Sequence, residues 1–298
     1  MNTRGAAVVP ARAATLAGVC AIVLWASLAL LTTFTEGLPP FQVLAIGFGI
    51  AGLLGVLRAA LRGRAGWRAW RAPPSALALS LAGLFGYHAL YFFSLKRAPA
   101  LEANLINYLW PLLIVLFCGL LPGARLRGAH VVGALFGFAA AVLLVTHRGD
   151  FTLASDAMPG YAAALAAAVV WAAYSVLNRR HADVPSDAIV PACLGVAVLG
   201  AVMHLLFEQT VPPTAGQWLA LAAMGVGPVG AAFFLWDTGT KRGDLALLGS
   251  LSYLAPLLST LLLVVSGRAQ AHWMQAVAVA LLMIGAWISL RPQTEPAP

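Results

Sequence analysis

Residues 87–113 read YHALYFFSLKRAPALEANLINYLWPLL, and this stretch decides the fold. Two apolar helical runs meet at Lys96-Arg97, with Tyr87, His88, Tyr91, Asn104, Asn107, Tyr108 and Trp110 set among them. Residues 234–258, FLWDTGTKRGDLALLGSLSYLAPLL, carry the same grammar: an aromatic, a Lys-Arg pair, a Tyr and a Pro. The spacing from Lys96 to Tyr108 to Pro111 recurs from Lys241 to Tyr253 to Pro256, all at one offset of 145 residues. Half the chain reads as a duplicate of the other half.

Composition names the solvent. Hydrophobic residues make up 61% of the chain and charged residues 9%, against roughly 25% charged in a soluble domain. So few charges do not cover a surface in water, and the chain is expected to dissolve in lipid. The net charge of +8 does not indicate nucleic acid, because the basic residues sit between apolar runs, as in cytoplasmic membrane loops. Cys20, Cys118 and Cys193 are odd in number, lie inside apolar runs and show no metal spacing. They read as small packing residues, with no disulfide framework, metal or cofactor expected. Arg4 and Arg12 precede the first apolar run, but it is long enough to span and ends in no cleavage site.

A span needs about 20 apolar residues. Ten segments qualify, centred near Leu24, Ala51, Phe85, Pro111, Gly137, Ala168, Val198, Gly227, Ala255 and Leu281. Separators run from Glu36 to Pro40, Arg58 to Pro74, Pro122 to Gly128, His147 to Pro159, Arg179 to Asp187, Glu208 to Thr214 and Gly267 to His272. Only short turns fit at Lys96-Arg97 and Lys241-Arg242. With the N-terminus inside, four of the 18 Lys and Arg fall outside: Lys96, Arg97, Arg148 and Arg268. The rest, including Arg125 and Arg291, gather inside, which predicts both termini in the cytoplasm. Trp67, Trp70, Trp218, Trp273 and Trp287 fall near span ends and fit an interfacial belt. The expected fold is an all-α integral membrane protein of ten transmembrane helices, divided into residues 1–150 and 151–298. Because five spans per half is odd, the second half enters inverted, a plan on which many secondary transporters are built.

Polar side chains at mid-span are costly unless they face a partner or water. Asn104, Asn107, Tyr108 and Pro111 share one helical face, as do Trp171, Tyr174, Ser175 and Asn178. Tyr87 and Tyr91 are one turn apart, His88 lies beside them, and Trp25 sits near the middle of the first span. Gly249, Ser252, Pro256 and Ser259 form a further stripe beside Tyr253. Such groups singly glue helices together; as a constellation at one depth they read as a cavity wall. Pro111 and Pro256 free the carbonyls of Asn107 and Ser252 and are expected to kink their helices there.

The ten carboxylates, Asp150 and Glu295 among them, all avoid span centres. The cavity therefore suits a net-neutral solute with an apolar or aromatic body, such as an amino acid zwitterion. His88 reads as a hydrogen-bonded neutral cavity residue rather than a proton relay, since no carboxylate partners it. Two readings stand for Lys96, Arg97 and Glu102 at one turn and Asp237, Lys241, Arg242 and Asp244 at the other. Solvated loop charges is the favoured one, exposed pairs being worth only ~0–1 kcal/mol; gating pairs is the other.

The ten spans, the five-plus-five repeat, Trp25 and Trp171, and the strings NYLWPLL and SYLAPLL resemble the drug/metabolite transporter superfamily in its EamA-type branch. The resemblance runs from about Ala13 to Leu290, and YHALY with NYLWP brings it nearest the YddG-type aromatic amino acid exporters of the bacterial inner membrane. It implies export of aromatic and other neutral amino acids by alternating access, with the neutral amino acid and lipid as the partners and a functional monomer. It places Tyr87, His88, Tyr91, Tyr108, Trp110, Trp171 and Ser252 at the cavity; Trp110 is placed there by the resemblance alone. Spacing adds Trp25, Asn107, Tyr174, Asn178 and Tyr253. A carrier of drugs or other metabolites is the alternative. An enzyme is disfavoured because no HExxH, GxSxG or paired acid accompanies His88.

Overall fold

The computed structural model describes residues 10–121, 127–146 and 155–290, and among these every regular element is helical. Expectations resting on Arg4, Pro122, Arg125, His147, Arg148, Asp150, Arg291 and Glu295 fall outside the described residues. In chain order the long helical segments are α1 (Ala11–Thr32), α2 (Pro40–Leu61), α3 (Pro74–Arg97), α4 (Ala100–Cys118) and α5 (Gly128–Thr146). They continue as α6 (Ser155–His181), α7 (Ser186–Phe207), α8 (Ala215–Arg242), α9 (Leu245–Val265) and α10 (Trp273–Leu290). All but α5 and α10 are long and apolar enough to cross a membrane; those two carry shorter apolar stretches, Gly128–Leu143 and Trp273–Ser289.

The helices begin and end where local chemistry directs. Pro40 and Pro74 stand at the first positions of α2 and α3, where the missing N–H costs nothing. Thr214 and Gln217 form a reciprocal capping box on α8, and the Asp244 carboxylate accepts the Leu247 N–H to cap α9. Only Ala98-Pro99 separates α3 from α4, and only Gly243-Asp244 separates α8 from α9.

Helix pairing follows the repeat. α2 packs on α7, α5 on α10 and α4 on α9, while α3 packs on α6 and α1 on α8. Moving every helix forward or back five places leaves this set unchanged. The α2–α7 pair is fastened at both ends. At one, the Asp187 carboxylate receives Arg58 Nε at 3.1 Å and Arg62 Nη1 at 3.0 Å. At the other, the Glu208 carboxylate accepts the Phe41 and Gln42 N–H groups at 3.1 and 3.2 Å and so caps α2. Gln42 in turn bonds both the N–H and the carbonyl of Val211.

The α1–α8 crossing is made close by glycine. A Cβ on Gly239 would lie 2.8 Å from Gly18 Cα, a backbone atom that no rotamer change can move. Small residues at such crossings let membrane helices pack by direct backbone approach. Gly239→Ala should therefore destabilise the fold by about 1–3 kcal/mol. Gly216→Ala, at a position with open space around it, should not, and thermal unfolding of the two purified variants side by side is the measurement.

Candidate functional site

The site grows from broken helices. α4 consists of Ala100–Asn107 and Trp110–Cys118, and α9 of Leu245–Leu251 and Leu254–Val265. Each break lies within a turn before Pro111 or Pro256, and each leaves Tyr108 or Tyr253 outside regular helix. The two breaks touch: the Tyr253 hydroxyl donates to the Tyr108 carbonyl at 3.1 Å. One freed carbonyl departs from expectation. That of Ser252 accepts the Ala255 N–H at 3.1 Å, because the turn tightens to an i+3 bond. The Ser252 hydroxyl is likewise bonded to its own helix, donating to the Leu248 carbonyl at 2.7 Å. A third irregularity is the π turn Gly227–Ala231 within α8, whose Pro228 carbonyl accepts the Trp25 indole N–H at 3.0 Å.

Four tryptophans from four helices meet beside these breaks. Trp25 of α1, Trp110 of α4, Trp171 of α6 and Trp236 of α8 all have ring centroids within 6.4 Å of one another. Most of these contacts are edge-to-face, which suits the ring quadrupoles; Trp171 and Trp236 are stacked. Phe233 packs on Trp25 and Trp171 and stacks on Phe48. Tyr174, fully buried, is 5.3 Å from Trp171.

A second tier extends from Trp171 toward the Lys96 end. Tyr87 lies 5.3 Å from Trp171, and Tyr91 stacks on Tyr87 at 5.9 Å. The two phenols are held by α4: Asn107 donates its amide to the Tyr87 hydroxyl at 3.1 Å, and the Tyr91 hydroxyl donates to the Asn104 side chain. The Asn107 Oδ1 is buried and has no partner. His88 has Nδ1 2.7 Å from the Leu84 carbonyl, so in the neutral ring Nδ1 carries the proton and Nε2 remains an acceptor. Its ring sits among Phe48, Tyr87, Phe92 and Phe233.

Burial gives the tiers a direction. Trp110, Trp171 and Trp236 are buried, and so are Ser175, Asn178, Asp237 and Thr240 beyond them toward the Lys241 end. Trp25, Tyr87, His88 and Tyr91 are half-buried. The aromatic cluster is thus a floor, sealed on the Lys241 side. It offers ring faces, hydroxyls, an amide oxygen and an imidazole nitrogen, and no ionised side chain among them.

Of the residues singled out from sequence, ring contacts join Trp25, Tyr87, His88, Tyr91, Trp110, Trp171 and Tyr174 in one cluster, with Asn107 bonded to it. Tyr108 packs with Tyr253, Val115 and Leu257 where α4, α5 and α9 meet, and Ser252 is enclosed at the α9 break. The reading missed Trp236, Phe233 and Phe48. The first two were within reach, since the 145-residue offset carries Tyr91 onto Trp236 and His88 onto Phe233. It also misjudged both charged turns, and at the first of them Glu102 is buried rather than solvated. Asp237 and Lys241 are not solvated; they lie buried inside the last turns of α8, ion-paired at 2.9 Å, because the segment after α6 folds over them.

Comparison with known proteins gives the following. The profile of the EamA-like transporter family matches residues 12–146 and again 158–291. The aromatic amino acid exporter YddG of Ancylobacter novellus is 51% identical over 93% of this chain and 96% of its own. Those of Salmonella typhimurium and Escherichia coli are 28% and 27% identical over 93% of this chain and 98% of theirs. A solved crystal structure 50% identical to this chain superposes with a TM-score of 0.90, covering 94% of this chain and 96% of that one.

The α3–α4 hydrogen bonds make a direct test. Tyr87→Phe leaves the buried Asn107 amide without its acceptor and should cost about 1–3 kcal/mol. Tyr87→Phe/Asn107→Leu, which removes both partners, should recover most of it, read as the melting temperature of each purified variant.

Proposed function

The chain belongs to the EamA-like transporter family, and on that footing we propose that it exports aromatic and other neutral amino acids across the bacterial inner membrane. The family is one of transporters, and the reading is of a carrier without catalytic chemistry. The observation that carries the substrate class is the uncharged aromatic floor with Tyr87, His88 and Tyr91 half-buried above it. Rings of a substrate side chain suit the indole and phenol faces, and its ammonium suits their π-systems. Its carboxylate takes the hydroxyl proton of Tyr87, which accepts from Asn107 and so keeps its O–H free, and its ammonium can also donate to Asn107 Oδ1 or His88 Nε2.

The proposal includes the architecture. Ten helices cross the membrane as two inverted units, residues 1–150 and 151–298, with both termini and the Lys241 end in the cytoplasm. The helix pairing that survives exchange of the halves supports this, as does the family profile matching twice. The unit transports as a monomer by alternating access, with the paired breaks before Pro111 and Pro256 as the points about which α4 and α9 bend.

Reconstitution into proteoliposomes tests it. Radiolabelled phenylalanine, tryptophan and threonine should cross faster than in empty liposomes; equal rates would end the amino acid reading, and competition by unrelated drugs alone would favour a different cargo. Trp171→Ala should lower the initial rate about tenfold, the effect of losing ~1.4 kcal/mol of site interaction. Trp218→Ala, exposed at the protein surface, should leave it within about twofold.

A further inference from the structure

The buried pair beyond the aromatic floor has a structural setting of its own. Asp237 is 1% exposed and Lys241 5%. Asn178 of α6 donates its amide to Asp237 Oδ1 at 2.9 Å and to Thr240 Oγ1 at 3.0 Å. Lys241 Nζ pairs with Asp237 Oδ2 at 2.9 Å and also donates to the Val184 carbonyl at 3.2 Å. Nearer the floor, the Trp236 indole N–H donates to Ser175 Oγ at 3.1 Å. Farther out, Arg179 donates to the Gly243 carbonyl at 2.8 Å, and the Arg242 guanidinium to the Ala182 carbonyl at 3.1 and 3.2 Å. A column of polar bonds therefore ties α6 and the segment after it to α8, from the tryptophan cluster to the Lys241 end.

The internal repeat supplies a comparison within the same molecule. The 145-residue offset carries Trp236 and Lys241 onto Tyr91 and Lys96, and the register of Trp25 with Trp171 carries Ser175 and Asn178 onto Ala29 and Thr32. Among the described residues no hydrogen bond joins α1 to α3 at that opposite seam. Thr32 Oγ1 donates to the Ala29 carbonyl of its own helix, Tyr91 is bonded to Asn104 of α4, and Lys96 is exposed. One seam carries a column of polar bonds and its counterpart does not.

A buried ion pair is a weak source of stability, because desolvation offsets the attraction. It has a different merit at a seam that must part. Both charges regain hydration as the seam opens, whereas an apolar seam would expose surface to water and resist opening. The geometry points to Asp237 and Lys241, held by Asn178, as the latch of a cytoplasmic gate that parts α6 from α8 and admits substrate to the aromatic floor. The inference rests on the carrier reading above, but its test needs no substrate.

Ser80 is a reporter position, since it lines a cavity of about 10 Å³ together with Asn178, Asp237 and Lys241 and is itself buried. The parent protein carries Ser80→Cys with Cys20, Cys118 and Cys193 replaced by serine, and is held in lipid nanodiscs and treated with a charged maleimide. Asp237→Asn leaves the Lys241 charge unmatched and should raise the labelling rate about tenfold, while Asp237→Leu/Lys241→Met, with an apolar seam, should lower it about tenfold. Should Asp237→Asn fail to purify as a single species, Lys241→Gln takes its place with the same expected rise. Rates equal to the parent in both variants, or a shift of both in one direction, would overturn the latch. A pair that served the fold alone would move the melting temperature and not produce opposite labelling. A failed amino acid transport assay would remove the substrate and leave the labelling result standing.

Discussion

Inside a bilayer a peptide group finds no water to bond, so every departure from helix has to be answered by another part of the protein. Among the described residues, several departures from helix are answered across a helix–helix contact. The break in α4 presents the Tyr108 carbonyl, and Tyr253 from the break in α9 donates to it. The π turn in α8 presents the Pro228 carbonyl, and Trp25 donates to that. The free N–H groups at the start of α2 are taken up in the same way by Glu208, which belongs to the other half of the chain. These answered breaks join α4 to α9 and α1 to α8 beside the aromatic cluster.

Charge is handled by segregation. The rings and the phenol–amide pairs of the site carry no ionised group, so a solute with no net charge meets no unbalanced field there. Two buried carboxylates are matched locally: Asp237 by Lys241, and Glu208 by two backbone N–H groups and the His204 ring. An unmatched charge at either place would be far more costly than the pair.

Much of this was legible in the residues, and the limits have physical causes. Helix periodicity put Tyr87 with Tyr91 and Asn104 with Asn107, and the structure bonds the first pair to the second because a two-residue turn folds α3 straight back onto α4. Proline chemistry located both interruptions to within a turn. Trp236 escapes because the aromatic of FLWD serves there only to align the repeat, although its repeat partner Tyr91 is assigned to the cavity. Asp237 and Lys241 escaped for a harder reason. Local sequence shows a charged helix end, and burial there depends on the Arg179–Ser186 segment reaching across from α6, which periodicity does not encode. Ser252 illustrates a third limit, since a membrane serine can bond its own helix as readily as face a neighbour.

The doubly fastened α2–α7 pair has a mechanical meaning. Asp187 with its arginines holds one extremity, and Glu208 with Gln42 holds the other, so these helices resist both splaying and sliding. Tied at both extremities, the two helices join the halves of the chain along the full length of the pair.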